Sequence, residues 1–214
     1  MAQRRNRSKA YFEAAAREWS EKEPRFAGNG LRHQALSWLL PEDLSVADIG
    51  CGNGFVAQAL ATRVRRIVLV DHSPAMLQQA RVRLGRIPGI DLDYRVGELD
   101  ALPLGDGEVD AAVANLTLHH APDLEAALRE LGRIVRSGGE VIISDLMPHE
   151  VDALREREAD LRLGLEPEAL ADMLAETGFH RVRHEPGIDA LRAVAKNGEE
   201  KLLPIFVMKA CRQE

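Results

Sequence analysis

VADIGCGNGFVAQAL, residues 46–60, reads as a buried strand that runs into a glycine-rich turn and then opens a helix. Gly50, Gly52 and Gly54 permit a tight turn and let a ligand approach the main chain closely. Counted from Asp48 the spacing is D-x-G-x-G-x-G. A dinucleotide fingerprint needs a glycine where this chain has Phe55, and the phosphate-cradling G-x-x-x-x-G-K-[ST] is absent. Asp48 adds an electrostatic objection, because a carboxylate at the mouth of the turn repels pyrophosphate and favours an ammonium or a sulfonium. The turn suits a nucleoside held without phosphate.

The stretches around it alternate. Apolar runs at 45–49, 66–70, 109–114 and 139–146, with a weaker one at 90–96, predict strands. Helical segments fall near 55–63, 74–85 and 123–135. This order predicts βαβ units, a parallel sheet and helices on both faces. Before it, residues 9–20 carry Tyr11, Ala15 and Trp19 on one helical face, and a second helix is expected over 30–40. After it, EVDALREREADLRLG predicts an amphipathic helix and PEALADMLAETG another, with Pro167 in its first turn and Gly178 at its end. Strands are expected at 179–185 and 202–210, and the polar segment 187–201 as a loop or short helix.

Three acids mark the carboxyl ends of successive strands. Asp71 ends IVLVD, where a carboxylate accepts from both ribose hydroxyls. Ser73 and Pro74 then open a helix as N-cap and first residue. Glu98 follows the next strand, where it can accept from an adenine amino group while Leu99 and Leu102 pack on the ring.

With these residues in place, the chain resembles class I S-adenosylmethionine-dependent methyltransferases. The resemblance runs from 45 to 147 through VADIGCGNG, VLVDHSPAML, GELDALPL, VDAAVANLTLHHAPD and LGRIVRSGGEVIISDL. It is nearest to the quinone and small-molecule type. The tail, DLMPHEVDALRE followed by LGLEPEALADMLAETGF, is similar to methyltransferase domains fused to metal-responsive-type repressors. The resemblance implies a Rossmann-like α/β fold with a seven-stranded, mostly parallel sheet and an antiparallel last strand beside the strand at 179–185. It implies that Asp48, Gly50, Gly52 and Asn53 surround the methionine part of the cofactor, with Gly54 also among the cofactor-binding residues. Asp71 would hold the ribose with His72 and Met76 beside it, and Glu98 and Leu99 the adenine. Glu98 stands where Asp is more usual, and Asn53 where Thr or Ser is common.

The methyl group should emerge at NLTLHHAPD, where Asn115 and Leu116 line the methionine end and His119 and His120 are the candidates for a base or an acceptor contact. An N/D-P-P-Y/F stretch for amino-group methylation is absent, and Cys51 and Cys211 are too far apart for a thiol cluster. His180 and His184 fall in a strand-like run, so no metal is expected. The expectation is one domain over 1–214: a helical lid in 1–44, a cofactor core in 45–147, and helices with the last two strands in 148–214. Its function would be methyl transfer to a small-molecule acceptor. The rivals are a non-catalytic S-adenosylmethionine sensor or accessory subunit, a macromolecule methyltransferase, and a nicotinamide-dependent reductase, the last opposed by Phe55 and Asp48.

Bulk properties agree. The formal charge of −6 argues against broad nucleic-acid binding. No apolar run approaches the roughly 18 residues of a membrane span. MAQRRNRSKAYF has the charge of a secretory signal with no apolar stretch behind it, so a cytoplasmic location is expected. Arg155, Arg157 and Arg162 offer charge to an anionic acceptor.

Overall fold

The structure, a computed structural model, describes residues 2–19, 34, 38, 43–85 and 87–214, without the side chains of 2–5. The helix expected over 30–40, apart from Gln34 and Trp38, lies outside these residues. Seven strands form one sheet in the order β3-β2-β1-β4-β5-β7-β6. They are β1 Ser45–Ile49, β2 Arg66–Asp71, β3 Asp91–Val96, β4 Val109–Asn115, β5 Val135–Leu146, β6 Phe179–Val194 and β7 Glu200–Arg212. The first five pair in parallel, and β7 runs antiparallel between β5 and β6.

The helices are α1 Ala2–Ala15, α2 Phe55–Leu60, α3 Pro74–Leu84, α4 Leu124–Ile134, α5 Ala153–Arg157 and α6 Pro167–Glu176, with short 3-10 turns at Ala16–Glu18 and Leu118–His120. Alternation along the strands splits the core between the two faces of the sheet. Val46, Ile67, Leu69 and Val113 pack against Val56, Leu60, Leu77 and Ala80 of α2 and α3. Ala47, Val68, Val70 and Ala112 pack against Leu128 and Leu131 of α4 and Leu170 and Leu174 of α6. Leu69 is wholly buried, so truncating it to alanine costs about 2–5 kcal/mol.

Caps hold the helices in register. The Ser73 hydroxyl accepts from the Met76 N–H at 3.2 Å with Pro74 next to it, and Asp123 accepts from the Ala126 N–H at 3.0 Å. Each cap contributes roughly 1 kcal/mol. Among the described residues no helix is long and apolar enough to cross a membrane.

Two segments depart from expectation. Helix α5 is only five residues long, and the chain leaves it through Ala159 at φ 61, a left-handed conformation that no helix continues. The polar stretch 187–201 is largely sheet: β6 continues to Val194 and turns back into β7 at Glu200. Polar side chains on the exposed face of this hairpin hide its strand character. The sheet also decides where a ligand sits. β1 lies between β2 and β4, and the strand order reverses there, opening a crevice at the carboxyl ends of these strands.

Candidate functional site

One cavity occupies that crevice, about 1340 Å³ including the space at its mouth. Asp48, Gly50, Gly52, Asn53, Asp71, His72, Met76, Glu98, Leu99, Asn115, Leu116, His119 and His120 all line it. Gly54 does not. It sits at φ 80 before α2, and a side chain there would press on Ala80 of α3 at 3.1 Å, so its place is helix packing.

Asp71 joins the turn to β2. One carboxylate oxygen accepts from the Gly52 N–H and the other from the Ser73 N–H, both at 2.9 Å. Asp48 accepts from the Ala57 N–H at 3.1 Å, which fixes the start of α2. Burial pushes Asp48 up to about 7, opposed by the Ala57 N–H and reinforced by the charge of Asp71. Burial also raises Asp71, opposed by His72 and by the two backbone donors. At Gly50, with φ 66, a Cβ would collide with the Thr117 side chain; at Gly52, with φ 51, it would meet only the Trp19 indole nitrogen, at 3.8 Å.

The far end of the cavity is built after β4. Asn115 is held by the Ser144 hydroxyl, which donates to its side-chain oxygen at 2.6 Å. Leu116 adopts φ 50, a strained conformation for a leucine, as its N–H reaches the Ser144 carbonyl at 2.7 Å. His119 Nδ1 lies 2.6 Å from Asp145 Oδ1. Asp145, fully buried, also accepts from the N–H groups of Leu118, His119 and Leu146. Burial works to lower His119, but the charge and hydrogen bond of Asp145, with Asp160, hold it above its usual value. Burial and the neighbouring His119 push His120 well below its own. Burial lifts Asp160 to about 6.

Helix α1 covers this end. Phe12 stands edge-on to His72 at 5.5 Å and to His120 at 5.1 Å between ring centres, and Ser8 and Trp19 also line the cavity. The Tyr11 hydroxyl bonds to Glu158. The arginines considered for an anionic acceptor are engaged elsewhere. Arg155 and Arg157 donate to the carbonyls of Leu161 and Val194, and Arg162 to that of Ala121. Among the described residues that line the cavity there is no lysine or arginine.

Sequence reasoning missed Thr117, Asp145, Glu158 and Asp160. Asp145 had a visible signal, since it stands one residue before the end of the strand IISDL, much as Asp71 ends IVLVD. Asp160 had none, because its segment reads as a continuous helix.

Residues 47–143 match the family described as a methyltransferase domain. Malonyl-[acyl-carrier protein] O-methyltransferase of Serratia marcescens is 30% identical over 141 residues, covering 66% of this chain and 50% of that protein. Ubiquinone biosynthesis O-methyltransferase of Stutzerimonas stutzeri is 32% identical over 147 residues, 64% of this chain and 61% of that one. The chain thus spans about half the length of the curated relatives it matches. A methyltransferase in complex with the Trm112 activator from Haloferax volcanii superposes with a TM-score of 0.79 over 96% of this chain and 97% of that one, at 22% identity. Residues 47–143 are thus similar to methyltransferase domains, and the fold of the chain is the one seen in that methyltransferase structure.

Proposed function

We propose that the chain transfers a methyl group from S-adenosylmethionine to a small-molecule acceptor. The observation that carries this is the charge of the cavity: Asp48, Asp71, Glu98, Glu158 and Asp160 line it without a lysine or arginine among the described residues. Such a lining opposes a pyrophosphate and accommodates a sulfonium. Two further features fit that cofactor. His72 Nε2 is buried in the lining with no hydrogen-bond partner, and the space beside Gly52 is open to a ligand.

When bound, the cofactor supplies a methyl group already activated by the positive sulfur. The residues around it have to align the acceptor and exclude water. In this reading Asp48, Gly50, Gly52 and Asn53 take the methionine part. Asp71, His72 and Met76 take the ribose, Glu98 and Leu99 the adenine, and Asn115 and Leu116 the neighbourhood of the sulfur. His119 and His120 face the acceptor as proton acceptor or substrate contact. The segment 1–44 acts as a lid through Ser8, Phe12 and Trp19. The whole chain works as one domain in the cytoplasm.

A sensor needs no room beyond its cofactor, whereas this cavity continues past Asn115 to His119, His120 and Asp160. Phe12 over that end favours a small acceptor over a macromolecule. The names of both relatives as O-methyltransferases support an oxygen acceptor. The likeness of the tail to repressor-fused domains rests on sequence alone.

Calorimetry with S-adenosylhomocysteine and with NAD tests the reading. The first should bind and the second should not. NAD binding without the homocysteine compound would overturn it. Asp71→Ala should weaken the cofactor severely, and near-parental affinity would show the ribose to be elsewhere.

A further inference from the structure

Three polar groups at the acceptor end converge without bonding to one another. His119 Nε2 lies 3.7 Å from Asp160 Oδ1, and His120 Nε2 lies 3.9 Å from the same oxygen. Both separations exceed a hydrogen bond. The ligand atoms of all three residues fall within 4.8 Å of one another.

The opposite nitrogens decide what these atoms are. His119 Nδ1 faces the Asp145 carboxylate at 2.6 Å, and His120 Nδ1 faces the Ala159 carbonyl at 3.4 Å. Both partners can only accept, so each Nδ1 carries the hydrogen, and in the neutral rings the Nε2 lone pairs point away from it. Two imidazole lone pairs and a carboxylate oxygen therefore share one small space, and the cavity around them holds no lysine or arginine among the described residues. The supporting bonds have the form of an outer shell. A carboxylate orients one imidazole and a backbone carbonyl the other, the arrangement that fixes histidines as metal ligands. Asp145 is itself held by three backbone N–H groups.

We propose that His119, His120 and Asp160 form a divalent-cation site, suited to zinc, that leaves a coordination position open to the acceptor. Two histidines, one carboxylate and an open position make the donor set of a catalytic zinc centre. Zinc at its usual bond lengths brings ligand atoms to about 3.3 Å apart, so each imidazole closes on Asp160 by about half an ångström. The absence of a helical histidine pair, which led to the expectation of no metal, does not bear on this site. Its ligands come from the turn after β4 and from the reversal after α5, and only the tertiary fold unites them.

The site serves the methyl-transfer reading, with the cation replacing proton uptake by His119 or His120, although its existence does not depend on that reading. A hydroxyl or thiol of the acceptor that binds the cation loses its proton more readily, and that proton leaves to solvent at the cavity mouth. The freed lone pair forms the bond to the methyl carbon. The carbon–sulfur bond of the sulfonium breaks, and its electron pair stays on sulfur.

The test uses the full chain, stripped with EDTA and titrated with zinc chloride by calorimetry, with retained metal counted by plasma mass spectrometry. One zinc per chain is expected. Asp160→Asn and His120→Ala should each weaken it by more than the roughly 10–100-fold typical of outer-shell changes. Cobalt in the parent protein should give the intense visible bands of a four- or five-coordinate ion, a readout that needs no variant. Failure to retain zinc, a six-coordinate cobalt spectrum, or unchanged affinity in both variants with parental circular dichroism would overturn the site. S-adenosylhomocysteine binding to the EDTA-treated chain is measured in parallel. If it persists while zinc fails, the metal proposal falls and the methyltransferase reading stands.

Discussion

Asp145 and His119 are joined at the end of the cavity built after β4, with 2.6 Å between Oδ1 and Nδ1 and the carboxylate completely buried. Because Asp145 also accepts from Leu118, His119 and Leu146, it organises the whole turn after β4. Asp145→Asn keeps the shape but turns an amide N–H towards donors. The loss should be about 1–3 kcal/mol in urea unfolding, together with a fall in kcat. Parental stability would show that the turn holds its shape without this carboxylate.

Two neighbouring glycines should respond differently to alanine. Both have positive φ, so each substitution carries strain of about 1–2 kcal/mol. At Gly50 the added carbon also collides with Thr117, whereas at Gly52 it projects into open cavity. Gly50→Ala should therefore lower the melting temperature clearly more than Gly52→Ala. Gly52→Ala should weaken S-adenosylhomocysteine out of proportion to its effect on stability. Equal melting temperatures would contradict the packing of Gly50 on Thr117.

These contrasts mark what sequence can convey. The strands at 45–49 and 66–71 are legible because most of their side chains are apolar and buried, and Asp48 and Asp71 are legible because each sits at or near the end of such a run. The acceptor end is not. Asp160 reaches His119 only because the chain reverses at Ala159, and a reversal at an alanine leaves no mark in the pattern. Tyr11 meets Glu158 across most of the chain, a contact no local periodicity encodes. The β6–β7 hairpin was hidden for a related reason. Its outer residues face solvent, so their polarity reads as loop although the backbone pairs from Ala190↔Pro204 to Val194↔Glu200.

The two tryptophans provide an optical test of the cavity. Trp19 lines it and stands near Gly52, while Trp38 lies under the guanidinium of Arg183 beside β6. Titration with S-adenosylhomocysteine should change the emission of the parent chain. Trp19→Phe should abolish most of that change and Trp38→Phe should leave it. The reverse pattern would place the ligand away from α1.

At the opposite end of the sheet, Arg95 bonds both Asp93 and Glu108, each at 2.7 Å, and Arg66 joins them. The Arg95 guanidinium, assisted by the Gly105 N–H and Arg66, holds Glu108 down at about 2. A carboxylate depressed on folding contributes stability that is full above its unfolded value and is lost as pH falls towards its folded one. The parent should therefore lose urea stability between about pH 4.5 and pH 2 more steeply than Glu108→Gln. Parallel curves would show that solvent screens the network.

Asp48 gives the opposite sign and a test of the sulfonium. Its folded value of about 7 lies above the usual 3.8, so ionising it opposes folding, and its contribution to stability declines as pH rises between those values. A cation bound nearby reverses the preference by favouring the carboxylate, and its binding drives the proton off. S-adenosylmethionine and S-adenosylhomocysteine differ only in the methyl group on sulfur and the charge it brings, so the change with pH in the ratio of their affinities reports that charge's interaction with Asp48. Between pH 6 and pH 8 the ionised fraction of Asp48 in the free protein rises by about tenfold, and the ratio should rise with it in favour of the sulfonium. Calorimetry at both pH values measures it. In Asp48→Asn the ratio should lose its pH dependence while S-adenosylhomocysteine still binds. A ratio that is flat with pH in the parent chain would mean that the methyl-bearing sulfur is not held beside Asp48.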